Sequence, residues 1–158
     1  KFEQALQERF KEIALLERAY NSTPESDEKN SEVAGCLGES YSSISKIWHK
    51  LNNDKKDVEY LQKSRDILKI TFDAGRLPAF AYDTYLFVLR KLGQRAQIAK
   101  EKLPYAQDYV SVLDKAAHEK QSVYYRGRLA RAEDMLPGAR AMVVQLEDYI
   151  KSKEASQP

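Results

Sequence analysis

The chain has 158 residues, 42% hydrophobic and 32% charged, with 26 Lys and Arg against 24 Asp and Glu. A chain of this length buries about two thirds of its unfolded surface and needs no metal or disulfide for stability. Near-cancelling charge disfavours nucleic acid as the main partner, the apolar content excludes a disordered chain, and a lone cysteine, Cys36, excludes an intrachain disulfide.

No run of about 18 apolar residues predicts a membrane span. The start Lys1-Phe2-Glu3-Gln4 predicts a processed chain or one cut from a longer protein. The compartment is open, with the cytoplasm as the default expectation. Cys36 sits in the apolar patch Val33-Ala34-Gly35-Cys36-Leu37, where packing is the expected role.

In chain order, Phe2, Leu6, Phe10, Ile13, Leu16 and Tyr20 recur every three or four residues and predict an amphipathic helix ending at Asn21-Ser22-Thr23-Pro24. Glu25 to Asn30 reads as a loop or cap, with Ser26 or Asp27 as N-cap. A second helix carries Val33, Leu37, Tyr41, Ile44, Trp48 and Leu51, and Asn52-Asn53-Asp54 ends it. A third spans Asp57 to Phe72, with Gly75 as its C-terminal cap. The fourth starts at Pro78, is apolar nearly all round from Phe80 to Leu92, and is broken by Gly93. A fifth runs from Arg95 to about Ala117 with a kink or split at Pro104. A sixth is predicted from Glu119 to Asp134 and a seventh over Ala139 to Ile150, separated by Leu136-Pro137-Gly138. The polar tail from Lys151 is expected to fray. No segment alternates with a period of two over strand length. The fold class is therefore all-α, with consecutive helices antiparallel, in one domain over 1–153 followed by a tail, 154–158.

The segment Ala34-x2-Leu37-Gly38-x2-Tyr41 resembles the first helix of a tetratricopeptide repeat. Tyr60-Leu61-x2-Ser64-x2-Ile67-Leu68 resembles the second, with Ser64 in place of the usual small alanine. Val123-x3-Gly127-x2-Ala130-x8-Ala139-x3-Val143-x2-Leu146 is similar to a further copy, and Tyr82 to Ile98 to a degenerate one. The matching positions Gly38, Leu86 and Gly127 are 48 and 41 residues apart, so the copies are lengthened relative to the usual repeat of about 34. The resemblance implies a right-handed α-solenoid of about seven helices; a plain irregular helical bundle is the alternative.

No catalytic constellation stands out. His118-Glu119 is followed by Lys120-Gln121-Ser122 rather than a second histidine, and neither a P-loop nor a dinucleotide glycine motif occurs. His49 and His118 read as surface residues near helix ends. The chain is thus expected to be non-enzymatic, with no catalytic residue, metal or cofactor.

Binding is the better expectation. Ten tyrosines supply apolar area with a polar tip, and Arg126, Arg128 and Arg131 gather beside Tyr124 and Tyr125, while acidic residues gather from Glu25 to Glu32. Arginines suit bidentate pairing with carboxylates, so these five residues and Tyr82 are the candidate contacts for an acidic peptide or helical segment of a partner protein. Two other readings remain: bases stacked on Tyr124 and Tyr125 with phosphates on the arginines, and a small ligand held in an aromatic pocket around Tyr82, Tyr85 and Phe87.

Overall fold

The computed structural model describes residues 1–157. Among them are six α-helices and one two-stranded sheet: α1 (Phe2–Ser22), α2 (Glu28–Lys50), α3 (Asp54–Asp73), α4 (Tyr82–Arg95), α5 (Ala99–His118), β1 (Ser122–Tyr125), β2 (Arg128–Arg131) and α6 (Ala132–Ala155). The fold class is all-α, as the periodicity predicts. No described helix is long and apolar enough to cross a membrane. The chain divides into two compact units, Lys1–Val88 and Leu89–Pro158.

In the first unit, α1, α2 and α3 pack as antiparallel neighbours. Asp27 caps α2, accepting from the Lys29 amide at 2.9 Å, which leaves only a short turn after α1. The expected loop to Asn30 is therefore too long. Asn30 is buried in the first turn of α2, where its amide donates to the carbonyls of Tyr20 (3.0 Å) and Thr23 (3.1 Å) and satisfies the end of α1. Further along, Ser40 donates to Glu12 (3.1 Å) and Tyr41 to Glu17 (2.5 Å). Leu6, Ile13, Leu37, Tyr41, Ile44 and Tyr60 form the core among these helices.

The α2–α3 pair is closest at Gly38. A Cβ there would lie 2.5 Å from Leu68 Cγ, and Ser64 Oγ donates to the Gly38 carbonyl at 2.7 Å. Only a glycine facing a small hydroxyl permits this approach. Gly75, at φ 71, follows α3 as expected of a C-terminal cap. Pro78 opens a 3₁₀ turn, Ala79–Ala81, and α4 proper begins at Tyr82.

In the second unit, α5 and α6 run antiparallel, tied by Arg140 to Asp114 (3.0 Å) and Lys100 to Glu154 (3.0 Å). Both prolines that were expected to interrupt helices lie inside them. Pro104 and Pro137 each occupy the sixth position of α5 and α6, both are exposed, and each removes one amide donor where water can reach the orphaned carbonyl. The actual break is at 96–98, after α4 has passed through Gly93 to Arg95. α6 also continues to Ala155, through the segment expected to fray; Pro158 lies outside the described residues.

The main correction concerns the sixth helix. Residues 122–131 form a β-hairpin, with Ser122 paired to Arg131, Val123 to Ala130, Tyr124 to Leu129 and Tyr125 to Arg128. Arg126 (φ 49) and Gly127 (φ 77) are both left-handed, the signature of a type I′ turn. Val123, Gly127 and Ala130 match helical spacing on paper. The true period is two: Val123 is buried and Tyr125 half-buried, with Tyr124 exposed between them. Gly127 therefore serves a turn rather than a helix–helix contact.

Candidate functional site

The second unit encloses an open, mainly apolar cavity of about 560 Å³. It is walled by the end of α4 (Leu89, Arg90, Gly93), by Lys102, Tyr105, Ala106 and Tyr109 of α5, by Tyr125 and Arg126 of the hairpin, and by the α6 face from Asp134 to Leu146. Helical spacing puts Tyr105 and Tyr109 on one face of α5 and aligns Met135, Ala139, Met142 and Leu146 on α6. The small residues Ala106, Gly138 and Ala139 leave room where larger ones would have filled the gap between the helices.

Two of the charged lining residues flank Tyr125. The guanidinium carbons of Arg90 and Arg126 stand 5.3 Å and 5.2 Å from its ring centroid, within cation–π range. Lys102 Nζ lines the cavity but donates to the Gly93 carbonyl at 2.9 Å. Asp134, the acidic lining residue, is paired with Arg131 at 3.3 Å. Burial pushes the Tyr109 phenol pKa up, with Tyr125 adding to the rise and Arg90 opposing it, so Tyr109 remains a neutral donor.

Of the residues expected from the sequence, Tyr125 and Arg126 line this cavity. Tyr124 and Leu129 pair on the opposite face of the hairpin, 62% and 64% exposed. Arg128 is exposed beside the turn, and Arg131 is engaged by Glu133 and Asp134. Tyr82 belongs to the first unit and is only 2% exposed, so its ring serves as core and offers no contact surface. Of its neighbours, Tyr85 is fully buried, edge-on to Phe72 at 5.8 Å, and Phe87 lies under Lys46 Nζ. Sequence reasoning missed Arg90, Tyr105 and Tyr109. The Tyr105-x3-Tyr109 spacing was visible, but nothing local marks it as facing a cavity rather than a core.

Two other groups bear on chemistry. His49, Asp54 and Asp57 bring ligand-type atoms within 4.8 Å of one another at the α2–α3 turn. Buried Asp57 is already held by Ser45 Oγ (2.6 Å) and faces His49 Nδ1 (3.1 Å), an arrangement that joins the two helix ends. The Cys36 thiol pKa is raised by burial and by the carboxylates of Glu39, Glu32 and Glu12, which makes it a poor nucleophile. No protein-family model, curated protein or solved structure matches the chain.

Proposed function

We propose that the chain is a non-enzymatic interaction module that takes a segment of a partner protein into the cavity of its second unit. The observation that carries this reading is the cavity itself. Its walls are mainly apolar and aromatic, it is open to solvent, and two arginines flank one of its tyrosines, a composition usual for recognition sites. Rigid tyrosines and flexible methionines together suit a bulky apolar side chain of an incoming peptide. The α2–α3 pair supports a tetratricopeptide-like construction for the first unit, since Gly38 and Ser64 stand where that family uses small residues for close helix packing. Gly127, in its turn, lends that construction no support in the second unit.

Ala139→Trp is the direct test, because an indole grown from α6 fills the cavity without altering charge. Random peptides selected on the wild-type protein should lose at least about tenfold in affinity for the variant. Circular dichroism would establish that the variant stays folded. A selection that yields no peptide sensitive to Ala139→Trp would sink the reading.

A further inference from the structure

We infer that the occupant of this cavity is a peptide segment carrying a carboxylate next to a bulky apolar side chain, with the carboxylate seated on Arg126 beside the Tyr125 ring. The inference rests on the interaction-module reading and adds the chemistry of the partner. Three observations lead to it.

First, the Arg126 charge at the cavity is left unbalanced. Arg126 contacts the Tyr125 ring but pairs with no carboxylate among the described residues, and Asp134 is occupied by Arg131. From Leu89 onward the chain has 13 Lys and Arg against 9 Asp and Glu, whereas the first unit has 13 against 15. The overall near-neutrality therefore conceals a basic second unit.

Second, two further hydrogen-bond donors belong to residues that line the same cavity. The hydroxyls of Tyr109 and Tyr125 make no hydrogen bond with any described residue, although both rings line the cavity. A neutral phenol and a guanidinium both donate, so the complementary group is an acceptor, and a carboxylate accepts from two donors at once.

Third, the wall is mainly apolar, with Leu89, Met135, Met142 and Leu146 in it, while two of its other charged residues, Lys102 and Asp134, are engaged by Gly93 and Arg131. A ligand that was anionic throughout would leave that wall uncovered. One bulky apolar side chain beside one acidic group covers both parts. Arginine favours the carboxylate because its planar fork matches two oxygens.

The experiment measures wild type, Arg126→Glu, Arg126→Gln and Ala139→Trp against the peptides selected on the wild-type protein. Selected sequences should be enriched in an Asp, Glu or free C-terminus adjacent to a large apolar residue. Arg126→Glu should weaken them about tenfold or more and Arg126→Gln by less. Replacing the peptide carboxylate with Lys should restore binding to Arg126→Glu. Peptides that respond to Ala139→Trp but carry no enriched carboxylate, or ignore Arg126→Glu, overturn this inference and leave the interaction module standing. No Ala139→Trp-sensitive peptide removes both. An oligothymidylate that outcompetes the peptides with a steep salt dependence and is lost in Arg126→Glu also overturns it, in favour of single-strand binding.

Discussion

Gly38 shows how one position can set the distance between two helices. Its hydrogen stands where a methyl would meet Leu68 Cγ at 2.5 Å, and Leu68 is fully buried with no free direction to turn. Gly38→Ala should therefore destabilise the first unit by about 2 kcal/mol despite the better helix propensity of alanine. Leu68→Ala made in the Gly38→Ala background should cost less than in wild type, since the added methyl enters the space vacated, and urea denaturation of the four proteins gives the coupling directly. Strictly additive costs would mean that α2 and α3 shift apart instead. This contact was legible in the sequence, because a glycine between Leu37 and Tyr41 within an unbroken apolar stripe has no local reason to exist. The role of Arg90 was not. It sits in an ordinary helix, and only the chain's return through the hairpin brings Tyr125 to within 5.3 Å of it.

At the scale of elements, the helix ends explain which boundaries could be read. α2, α3 and α5 finish with the same pair of bonds. The amide two residues past the last helical residue reaches back to the carbonyl second from the end, and the next amide to the one before it: Asn52 to His49 and Asn53 to Trp48, Gly75 to Phe72 and Arg76 to Thr71, Lys120 to Ala117 and Gln121 to Ala116. This is the Schellman arrangement, and it needs a left-handed residue at its centre. Asn52 and Gly75 suit that conformation and were readable as stops. Lys120, at φ 55, does not suit it; the fifth helix was still read to stop near Ala117, within a residue of the end of α5, and the miss lies beyond, in the sixth helix predicted from Glu119 where the chain turns into the hairpin. Lys120→Gly should stabilise the protein by about 0.5–1 kcal/mol, the relief of left-handed strain exceeding the entropy that glycine adds to the unfolded chain. A midpoint of thermal or urea unfolding that falls instead would mean that the Lys120 side chain holds a contact worth more than the strain. The internal prolines misled for a related reason: a missing amide bond weighs little near an exposed helix start, where solvent replaces it.

For the whole molecule, helical class and much of the order of elements followed from apolar periodicity, which depends only on neighbours along the chain. The cavity and the hairpin depend on contacts between distant segments, and no local pattern encodes them. The first unit is centred on α2, with eleven buried residues against two in α1 and six in α3. Native-state hydrogen exchange should accordingly find the α2 amides the slowest of that unit, outlasting those of α1 by about tenfold or more, because local opening scales with the packing that must be broken. Equal rates in α1 and α2 would show that the three helices open as one. In the second unit the Ala132 amide donates to the Gln121 carbonyl at 3.1 Å, so the chain leaving α5 and the chain entering α6 meet at a single bond. Whatever is threaded between those two points starts and finishes in the same place. The exposed turn at its far end, residues 126–129, can change in length and sequence while buried Val123 and the two helices keep their places, which makes that turn a natural graft site where specificity can be rewritten on an unchanged scaffold.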